Sequence, residues 1–434
     1  MASLTIRNGR LIDPAGGIDT LTDLVIERGK VAKIGKVARP TGRVFDASGC
    51  IVCPGLIDPH VHLREPGQED KETIATGTAA AVNGGFTTVV CMPNTQPALD
   101  DDGRIDFVYW QADRHGACNV YPAGAITKGR AGTELAEIAL MARAGAVMFT
   151  DDGDAIASAS MMSRALAYVK MTGRVLAQHC EEPTLIEGGA MNAGALATRL
   201  GLTGRPAVAE ELIIQRDIML NRGVGCRYHV QHLSTEGGVE LIRHARQAGQ
   251  PVTTEVAPHH LLLSEDACAG YDSNAKMNPP LRSRRDIDAL LAGVADGTIS
   301  VLGTDHAPHT REEKELEFSA SPSGIISLDC ALALYVKALV ETGTIDWPRL
   351  IAMMTIEPAR LCQLDNKGTL AEGADADLTV IDPHETWTIQ VDQFASKSRN
   401  CPYDGWSVTA RPIATLVAGQ FKLARDKSRL SSSG

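Results

Sequence analysis

The sequence predicts an α/β protein: a (β/α)8 TIM-type barrel joined to a small, discontinuous β-sandwich domain built from both ends of the chain. Between residues 54 and 364, short apolar runs alternate with helical stretches, which is typical of parallel strands with crossover helices. That length suits eight βα units. A doubly wound sheet is the alternative, but no Gly-x-Gly-x-x-Gly or Walker-type loop follows the first strand.

The β domain is predicted from residues 1–53 and 365–434. Both segments consist of short runs in which apolar and polar residues alternate, and neither holds enough strands for an independent sheet. We therefore expect the two segments to pair with each other. Asn8-Gly9 and Arg28-Gly29 predict tight hairpin turns. Residues 427–434 are predicted to be a frayed tail.

The barrel segment supplies both kinds of element that a βα repeat requires. The clearest strand-like runs are residues 87–91, 146–149, 174–177 and 299–302. The clearest helix-like stretches are residues 133–144, 209–220, 238–248 and 286–295. Their order along the chain predicts a parallel sheet.

Composition and charge describe an ordinary soluble globular protein. Of 434 residues, 44% are hydrophobic and 22% charged, and the net charge of -11 argues against a nucleic-acid or anionic-membrane binder. With no signal-peptide core and no apolar run of roughly 20 residues, we expect a cytoplasmic protein. The ten cysteines include one close pair, Cys50 and Cys53, and no second pair that would complete a thiolate site. We predict buried free thiols in a reducing compartment.

Residues that can bind a metal follow five of the predicted barrel strands. His60 and His62 lie just after the apolar run 51–57. Residues two apart on a strand share one face, so both imidazoles can reach one ion. The other strand ends lead to Asp151 and Asp152, His179, His232, and Asp305. The carboxyl ends of barrel strands meet at one face. Mixed imidazole and carboxylate ligands there suit zinc, manganese, cobalt or iron at an open hydrolytic site.

Other candidate residues have simpler interpretations. His229 lies three residues before His232 and is predicted to point to the opposite face, into packing. His259 and His260 follow another strand-like run and suit either a supporting position near the site or core packing. Cys180 could be a nucleophile, but a packed thiol at a strand end is the favoured interpretation.

Five motifs give the chain a family resemblance over essentially its whole length. They are Pro-Gly-Leu-Ile-Asp-Pro-His-Val-His-Leu-Arg-Glu-Pro-Gly at 54–67, Met-Pro-Asn-Thr at 92–95, Phe-Thr-Asp-Asp-Gly at 149–153, Lys-Met-Asn-Pro-Pro-Leu-Arg at 276–282 and Gly-Thr-Asp-His-Ala-Pro-His at 303–309. Their combination resembles the dihydroorotases of the amidohydrolase superfamily, in their longer bacterial class. That class has a metal-bearing (β/α)8 barrel and a composite β domain.

The resemblance implies a role for each candidate ligand. His60 and His62 would bind a first metal ion together with Asp305, Asp152 would bridge two ions, and the second ion would be held by His179 and His232. Zn2+ is the expected cofactor, as one or two ions, although other divalent metals are compatible. Asp151 ranks behind Asp152, because the family pattern places the ligand immediately before the glycine.

Substrate contacts are implied in the same way. Arg64, Asn94 and His309 match the residues that hold the substrate carboxylate, beside His62. Asn278 and the backbone of Gly324 match contacts to the pyrimidine ring. Ser323 stands where some relatives have a bulkier residue, so the resemblance does not decide which contact is made at that edge of the ring.

The implied reaction is the reversible cyclisation of N-carbamoyl-L-aspartate to L-dihydroorotate in de novo pyrimidine biosynthesis. Ring opening at neutral pH needs a metal-bound hydroxide and a polarised carbonyl. Asp305 would act as general acid and base. The guanidinium of Arg64 matches a carboxylate in a way that lysine does not.

One difference separates this chain from hydantoinases, many allantoinases and other dihydroorotases that it resembles. Those enzymes bridge their metals through a carboxylated lysine at the end of the fourth barrel strand. Here that strand is residues 146–150 and has no lysine, so a carbamate bridge is not expected and Asp152 is the substitute. Residues 310–322 are charged and suit either a lid over the substrate or an exposed loop.

Three rival functions are kept. They are another cyclic amidase such as an allantoinase or hydantoinase, a mononuclear deaminase on a similar barrel, and a non-catalytic paralogue that scaffolds aspartate transcarbamoylase. The absent lysine disfavours another cyclic amidase, and Asp152 disfavours a mononuclear deaminase. The intact ligand set disfavours a non-catalytic paralogue. The resemblance also allows a homodimer and an association with aspartate transcarbamoylase.

Overall fold

The protein is described from a computed structural model that covers residues 3–40 and 42–432. Over these residues its strands are β1 (Leu4–Asp13), β2 (Ile18–Glu27), β3 (Lys30–Ile34), β4 (Arg43–Asp46), β5 (Ile51–Pro54), β6 (Leu56–Val61), β7 (Phe86–Cys91), β8 (Asn119–Gly124), β9 (Met148–Phe149), β10 (Val175–Gln178), β11 (Met191–Asn192), β12 (Gly204–Arg205), β13 (Arg227–Val230), β14 (Val252–Val256), β15 (Val301–Leu302), β16 (Leu378–Thr388), β17 (Ser407–Val417), β18 (Gln420–Ala424) and β19 (Leu430–Ser432).

The helices lie mainly between the barrel strands. They are α1 (Ile74–Asn83), α2 (Asp102–His115), α3 (Ile138–Ala144), α4 (Ala159–Thr172), α5 (Pro183–Ile186), α6 (Ala195–Leu200), α7 (Val208–Val224), α8 (Glu236–Gln247), α9 (Pro258–Leu262), α10 (Arg284–Ala295), α11 (Arg311–Lys314), α12 (Ala331–Tyr335), α13 (Trp347–Met354) and α14 (Ile356–Cys362). None of the helices in the described part of the chain is long and apolar enough to cross a membrane.

Eight parallel strands form the barrel, in the order β15-β14-β13-β10-β9-β8-β7-β6. Val61 bridges to His306 in parallel orientation, and the His62 amide donates to His306 O at 2.9 Å, which brings the two ends of the sheet together. At the opposite end of the barrel, α14 contacts β6 and β15, and its apolar side chains share a core with Val175 and Val301. The predicted (β/α)8 barrel is confirmed.

The β domain is one nine-stranded sheet formed from both ends of the chain, as predicted. β5 joins the two segments, since it pairs in parallel with β1 and antiparallel with β16. Gly55 then separates β5 from β6, and a Cβ there would lie 2.0 Å from Thr87 Oγ1. The strand that ends in the predicted metal ligands is therefore a direct continuation of the β domain.

Residues 389–408 of the C-terminal segment pack against the barrel. Ile389, Phe394 and Tyr403 share one apolar core with Phe318 and Leu334. The predicted domain boundaries at residues 53/54 and 364/365 stay a prediction, because residues 389–408 follow the second boundary but pack against the barrel.

Three local expectations are wrong. Asn8-Gly9 is a bulge within β1 and not a hairpin turn: Asn8 has a φ of 59°, its amide donates to Asp23 Oδ1 at 3.0 Å, and Gly9 leaves no room for a Cβ beside Val52. Residues 133–137 are not helical, because they pair with residues 126–128, with the Ala136 amide donating to Ile126 O at 2.9 Å.

The third concerns the C-terminal tail. Leu430–Ser432 forms β19, which pairs antiparallel with β4, so the chain is ordered there and residues 433–434 lie outside the described part. All ten cysteines are free and buried, as expected.

Candidate metal centre

The six predicted ligands converge at the carboxyl ends of the barrel strands. His60 is the last residue but one of β6, and His62 directly follows the strand. The other four follow β9, β10, β13 and β15 within three residues, and they are Asp152, His179, His232 and Asp305. None of the six residues is more than 5% exposed. The strand-end rule that predicted them therefore describes their actual position in the barrel.

Their nitrogen and oxygen atoms form three overlapping groups, each within 4.8 Å. The groups are His60, His232 and Asp305; His60, His62 and Asp152; and Asp152, His179 and His232. Asp152 lies in the middle: its Oδ1 is 3.4 Å from His60 Nε2 and 3.7 Å from His232 Nε2, and its Oδ2 is 3.4 Å from His62 Nε2. This carboxylate is placed between two halves of one site.

The outward-facing nitrogen of three of these histidines meets an acceptor. His60 Nδ1 lies 2.5 Å from Glu255 Oε1, and His62 Nδ1 lies 2.8 Å from Asn94 Oδ1. In His179 the outward-facing nitrogen is Nε2 instead of Nδ1, and it lies 3.1 Å from Glu181 Oε2. An imidazole that donates through one nitrogen presents the lone pair of the other, which is the form a metal ion requires.

Glu255 and Glu181 were not predicted from the sequence. The signal for Glu255 was available: it is the only charged residue of β14, and an acidic side chain in an otherwise neutral buried strand requires a partner. Glu181 follows His179 by two residues, within a stretch of acidic residues that is typical of an exposed loop. Its side chain is nevertheless buried, and Arg205 Nη1 donates to it at 3.0 Å.

The electrostatics of the cluster keep its carboxylates ionised. Burial alone would raise the pKa of Asp152, but His60, His232 and His62 outweigh burial and lower that pKa well below its usual range. Burial would likewise raise the pKa of Asp305, whereas His60 and His62 lower it. For His60, burial opposes protonation, but Asp152, Glu255 and Asp305 raise its pKa well above the usual value. The site is therefore built to hold positive charge.

These residues fit a divalent metal ion. His60 Nε2 and Asp152 Oδ1 are buried and face each other without a hydrogen-bond partner among the described residues, which is costly unless another group pairs with them. Imidazole nitrogens and carboxylate oxygens are the donors that borderline divalent metals prefer. The cluster is a candidate divalent-metal centre.

The neighbouring candidates have structural roles. Asp151 accepts from the amides of Ile126 (2.8 Å) and Thr127 (3.0 Å) and so holds the loop after β8. His229 is fully buried, with Nδ1 2.8 Å from Thr253 Oγ1 and Nε2 3.2 Å from Glu255 Oε2. Cys180 is a packed thiol beside Tyr228.

A cavity of about 220 Å³ opens on the metal centre. Its walls include Arg64, Asn94, His309, Asn278 and Ser323, all predicted to contact the substrate. Arg64 is 7% exposed, and burial lowers its pKa to about 10, so it stays charged at neutral pH.

Arg64 and His309 meet at one wall of this cavity. Arg64 Nε donates to Pro308 O at 3.1 Å, and its Nη2 lies 3.5 Å from His309 Nε2. His309 Nε2 is also 2.9 Å from Ser323 O, and Ser323 Oγ donates to Asn278 Oδ1 at 3.0 Å. Gly324 lies behind Ser323, where its amide donates to Lys276 O at 2.9 Å. Ser323, rather than Gly324, forms the wall.

Residues 310–322 lie against the barrel next to this cavity. They begin with α11, whose capping box is formed by Thr310 and Glu313. Lys276 Nζ donates to Phe318 O (2.7 Å), Ser319 O (2.9 Å) and Ser321 O (2.7 Å), and Lys314 Nζ donates to Pro322 O at 2.9 Å. The segment is thus held by two buried ammonium groups.

The fold and the site together define a metal-dependent hydrolase of the amidohydrolase class. A family model described as Dihydro-orotase-like matches residues 49–237, and one described as Amidohydrolase family matches residues 337–421. Among solved structures, the L-hydantoinase (dihydropyrimidinase) of Arthrobacter aurescens is similar with a TM-score of 0.89 and 27% identity, covering 98% of this chain and 97% of that one. A D-hydantoinase (dihydropyrimidinase) from Thermus sp. is similar with a TM-score of 0.81 and 28% identity, covering 97% of this chain and 95% of that one.

Curated sequences are more closely related. The dihydroorotase of Pelotomaculum thermopropionicum is 49% identical over 96% of this chain and 97% of its own length. The dihydroorotase of Pelobacter propionicus is 45% identical over 98% of this chain and all of its own. The chain belongs to the dihydroorotase family.

Proposed function

We propose that this chain catalyses the reversible cyclisation of N-carbamoyl-L-aspartate to L-dihydroorotate. The observation that supports the proposal is the content of one cavity, which combines the metal centre with the guanidinium of Arg64. A ring amide with a carboxylate substituent needs both: a group that activates the amide and a cation that binds the carboxylate.

Zn2+ is the proposed metal, bound as one ion or two. His60, His62 and Asp305 would hold the first ion, His179 and His232 the second, and Asp152 lies where it can bind both. A divalent ion at this place lowers the pKa of water and polarises the amide carbonyl. No lysine is present in β9, so Asp152 takes the bridging place.

Asp305 is the proposed general acid and base. Its Oδ1 lies 2.9 Å from His62 Nε2 at the cavity wall, and its pKa is held below the usual range, so it is ionised and can accept a proton. In the hydrolytic direction Asp305 takes the proton of the attacking water and delivers it to the departing ring nitrogen. In the biosynthetic direction it takes the proton of the attacking carbamoyl nitrogen and delivers it to the carboxyl oxygen that departs as the ring C–N bond forms.

Arg64, Asn94 and His309 are proposed to bind the substrate carboxylate. Asn94 Oδ1 accepts from His62 Nδ1, which leaves the amide nitrogen of Asn94 free to donate to the substrate. Burial and the charge of Arg64 lower the pKa of His309 to about 2, so this imidazole is neutral at working pH. Asn278 and Ser323 are proposed to contact the ring, whereas the Gly324 backbone, which the resemblance also implied, lies behind Ser323 with its amide bonded to Lys276 O.

Purified, metal-loaded protein should be assayed with L-dihydroorotate and N-carbamoyl-L-aspartate, followed by ultraviolet absorbance of the ring. Parallel assays with hydantoin, dihydrouracil and allantoin test the hydantoinase and allantoinase alternatives, to which the structural likeness to hydantoinases gives weight. Turnover of both carbamoyl aspartate and dihydroorotate, with little of the carboxylate-free rings, supports the proposal. Protein that contains metal but turns over neither substrate would overturn it and favour the scaffolding role.

Partners and location stay predictions. A homodimer and an association with aspartate transcarbamoylase follow from the family resemblance alone, as does a cytoplasmic location. Sedimentation of the protein alone, and of its mixture with aspartate transcarbamoylase, tests the first two. Fractionation of the source cells tests the third.

A further inference from the structure

We propose that Glu255 and Glu181 are positioning residues that set metal affinity separately in the two halves of the centre. Glu255 would act on the ion held by His60 and Glu181 on the ion held by His179. This inference rests on the metal centre of the proposed function. It assigns new roles to two carboxylates that face away from the substrate cavity, since neither is among the residues lining it.

The two carboxylates contact different ligands. Glu255 is 1% exposed, and its Oε1 is 2.5 Å from His60 Nδ1. Glu181 is also 1% exposed, and its Oε2 is 3.1 Å from His179 Nε2. Each carboxylate contacts the imidazole of one histidine ligand, and Glu255 Oε1 also accepts from the backbone amide of His232 at 3.4 Å. Because the imidazole is the group that binds the ion, each carboxylate can act on one half of the site.

The contacts explain why the two histidines present opposite nitrogens to the centre. Glu255 accepts the proton of His60 Nδ1, which makes Nε2, 3.4 and 3.5 Å from Asp152 and Asp305, the nitrogen that is available to a metal ion. Glu181 accepts the proton of His179 Nε2, which leaves Nδ1 facing the centre, 2.8 Å from His232 Nε2 and 3.9 Å from Asp152 Oδ1. A carboxylate behind a ligating imidazole fixes its tautomer and makes it a stronger donor.

Each carboxylate is itself supported, and the supports differ. Glu255 Oε2 lies 3.2 Å from His229 Nε2, and His229 Nδ1 is anchored at 2.8 Å by Thr253 Oγ1. Glu181 has a full positive charge as its partner, with Arg205 Nη1 at 3.0 Å. His229 thus has a supporting place in the centre although it is not a ligand.

The test measures metal binding and not turnover. Metal-free wild type, Glu255→Gln and Glu181→Gln are titrated with Zn2+ against a chromogenic chelator, and with Co2+ to follow the ligand-field spectrum of each half. Glutamine has nearly the same shape but no charge, and it can donate to the imidazole and reverse its tautomer. We expect one binding step to weaken roughly 10- to 100-fold in each variant, and a different step in the two.

Asp329→Asn is the matched control. Asp329 is a buried carboxylate whose Oδ1 accepts from Asn83 Nδ2 at 2.7 Å and from the Ala395 amide at 2.9 Å, with no histidine ligand in contact. The Asp329→Asn substitution should leave both metal-binding steps unchanged. Circular dichroism and urea unfolding of the metal-free variants identify any loss of folding. The His229→Gln variant, which removes the contact that supports Glu255 and changes no ligand, is a milder second test of metal binding at the His60 half of the centre.

The outcomes separate this inference from the proposed function. If wild type binds two ions, or one, and the glutamine variants bind them with unchanged affinity, the positioning role is wrong while the metal centre stands. If both variants weaken the same single step, the two halves are not set separately, and the proposal fails. If folded wild type binds no divalent ion, the proposed function itself fails.

Discussion

Several residues of the metal centre adopt a backbone conformation that non-glycine residues rarely use. Arg64, His232 and Asp305 have φ values of 61°, 31° and 48°. Such conformations cost free energy and are found where a side chain must be aimed at a functional site. The sequence gives no sign of them, because arginine is not enriched at positive φ, and aspartate and histidine, although enriched there, are found at negative φ far more often.

Asp305→Asn should retain metal and lose nearly all turnover. Asparagine tolerates the positive φ of this position and keeps one oxygen as a ligand, but it cannot accept the proton of the attacking water. Turnover of dihydroorotate should fall roughly 10²- to 10⁴-fold. Metal content by mass spectrometry is measured on the same samples. Near-wild-type activity with metal bound would remove Asp305 from the role of base.

Arg64→Lys should weaken productive binding of the substrate carboxylate. Lysine keeps the charge but loses the planar pair of donors, and hydrogen bonds to charged groups contribute about 1.5–3 kcal/mol. The expected result is a loss of roughly 10- to 100-fold in kcat/KM, mostly through KM. Arg411→Lys, at a half-buried arginine that pairs with Glu385 in the β domain, is the matched control. Equal kinetics of the two variants would contradict carboxylate binding by Arg64.

At the scale of elements, the rule that barrel enzymes place their ligands at strand ends located all six candidate ligands from the sequence. Glu255 was missed because its partner, His60, is 195 positions away and no spacing connects them. The bulge at Asn8-Gly9 was missed for a related reason. The same dipeptide suits a hairpin or a bulge, and contacts with Asp23 and Val52, distant in sequence, decide between them.

The segment 310–322 shows the same limit. Its charges suggested either a lid or an exposed loop, and they do not reveal that Lys276, from another loop, donates to three of its carbonyls. Lys276 is 6% exposed, and burial lowers its pKa to about 8. A role as a lid stays a prediction, and in this structure the segment is a docked wall next to Ser323.

Lys276→Met should release this wall. The substitution removes the donor of the Ser319 and Ser321 carbonyl oxygens and leaves Phe318 O with only the Ser321 hydroxyl. A buried carbonyl that loses its donor costs about 1–3 kcal/mol, so the segment should open more often. Amide hydrogen exchange of residues 315–324 should accelerate at least tenfold, while that of α10 should not change. KM should rise, because Ser323 and Asn278 form the adjoining cavity wall. Lys128→Met, at an exposed lysine paired with Glu134, is the control. Unchanged exchange would show that the lysine does not hold the segment.

At the scale of the whole molecule, the two chain ends support the site from opposite sides. The N-terminal segment continues through β5 into β6 and so into His60. The C-terminal segment contributes Asn400, whose side chain accepts from the His309 amide at 3.1 Å and donates to Ala307 O and Gly324 O at 2.9 and 3.0 Å. Both terminal segments of the chain are therefore part of the framework of the candidate site.

The stability of the whole molecule should depend on pH through His259. This residue is fully buried, and both ring nitrogens lack a hydrogen-bond partner among the described residues. Burial lowers its pKa in the folded protein from 6.5 to about 4. Between these two values the unfolded chain binds more protons than the folded chain, so the free energy of unfolding decreases as the pH falls from 6.5 towards 4.

His259→Asn should therefore lose less stability in acid than the wild type. Between pH 7 and pH 5 the difference in the two losses should be about 2 kcal/mol, since one pKa unit corresponds to about 1.4 kcal/mol. Urea unfolding of metal-free protein at both pH values measures it, with the metal removed so that its release does not contribute. His115→Asn, at an exposed histidine in the last turn of α2, should behave like the wild type. If His259→Asn and the wild type lose the same stability between these pH values, His259 is protonated alike in the folded and unfolded chain, and its burial carries no acid sensitivity.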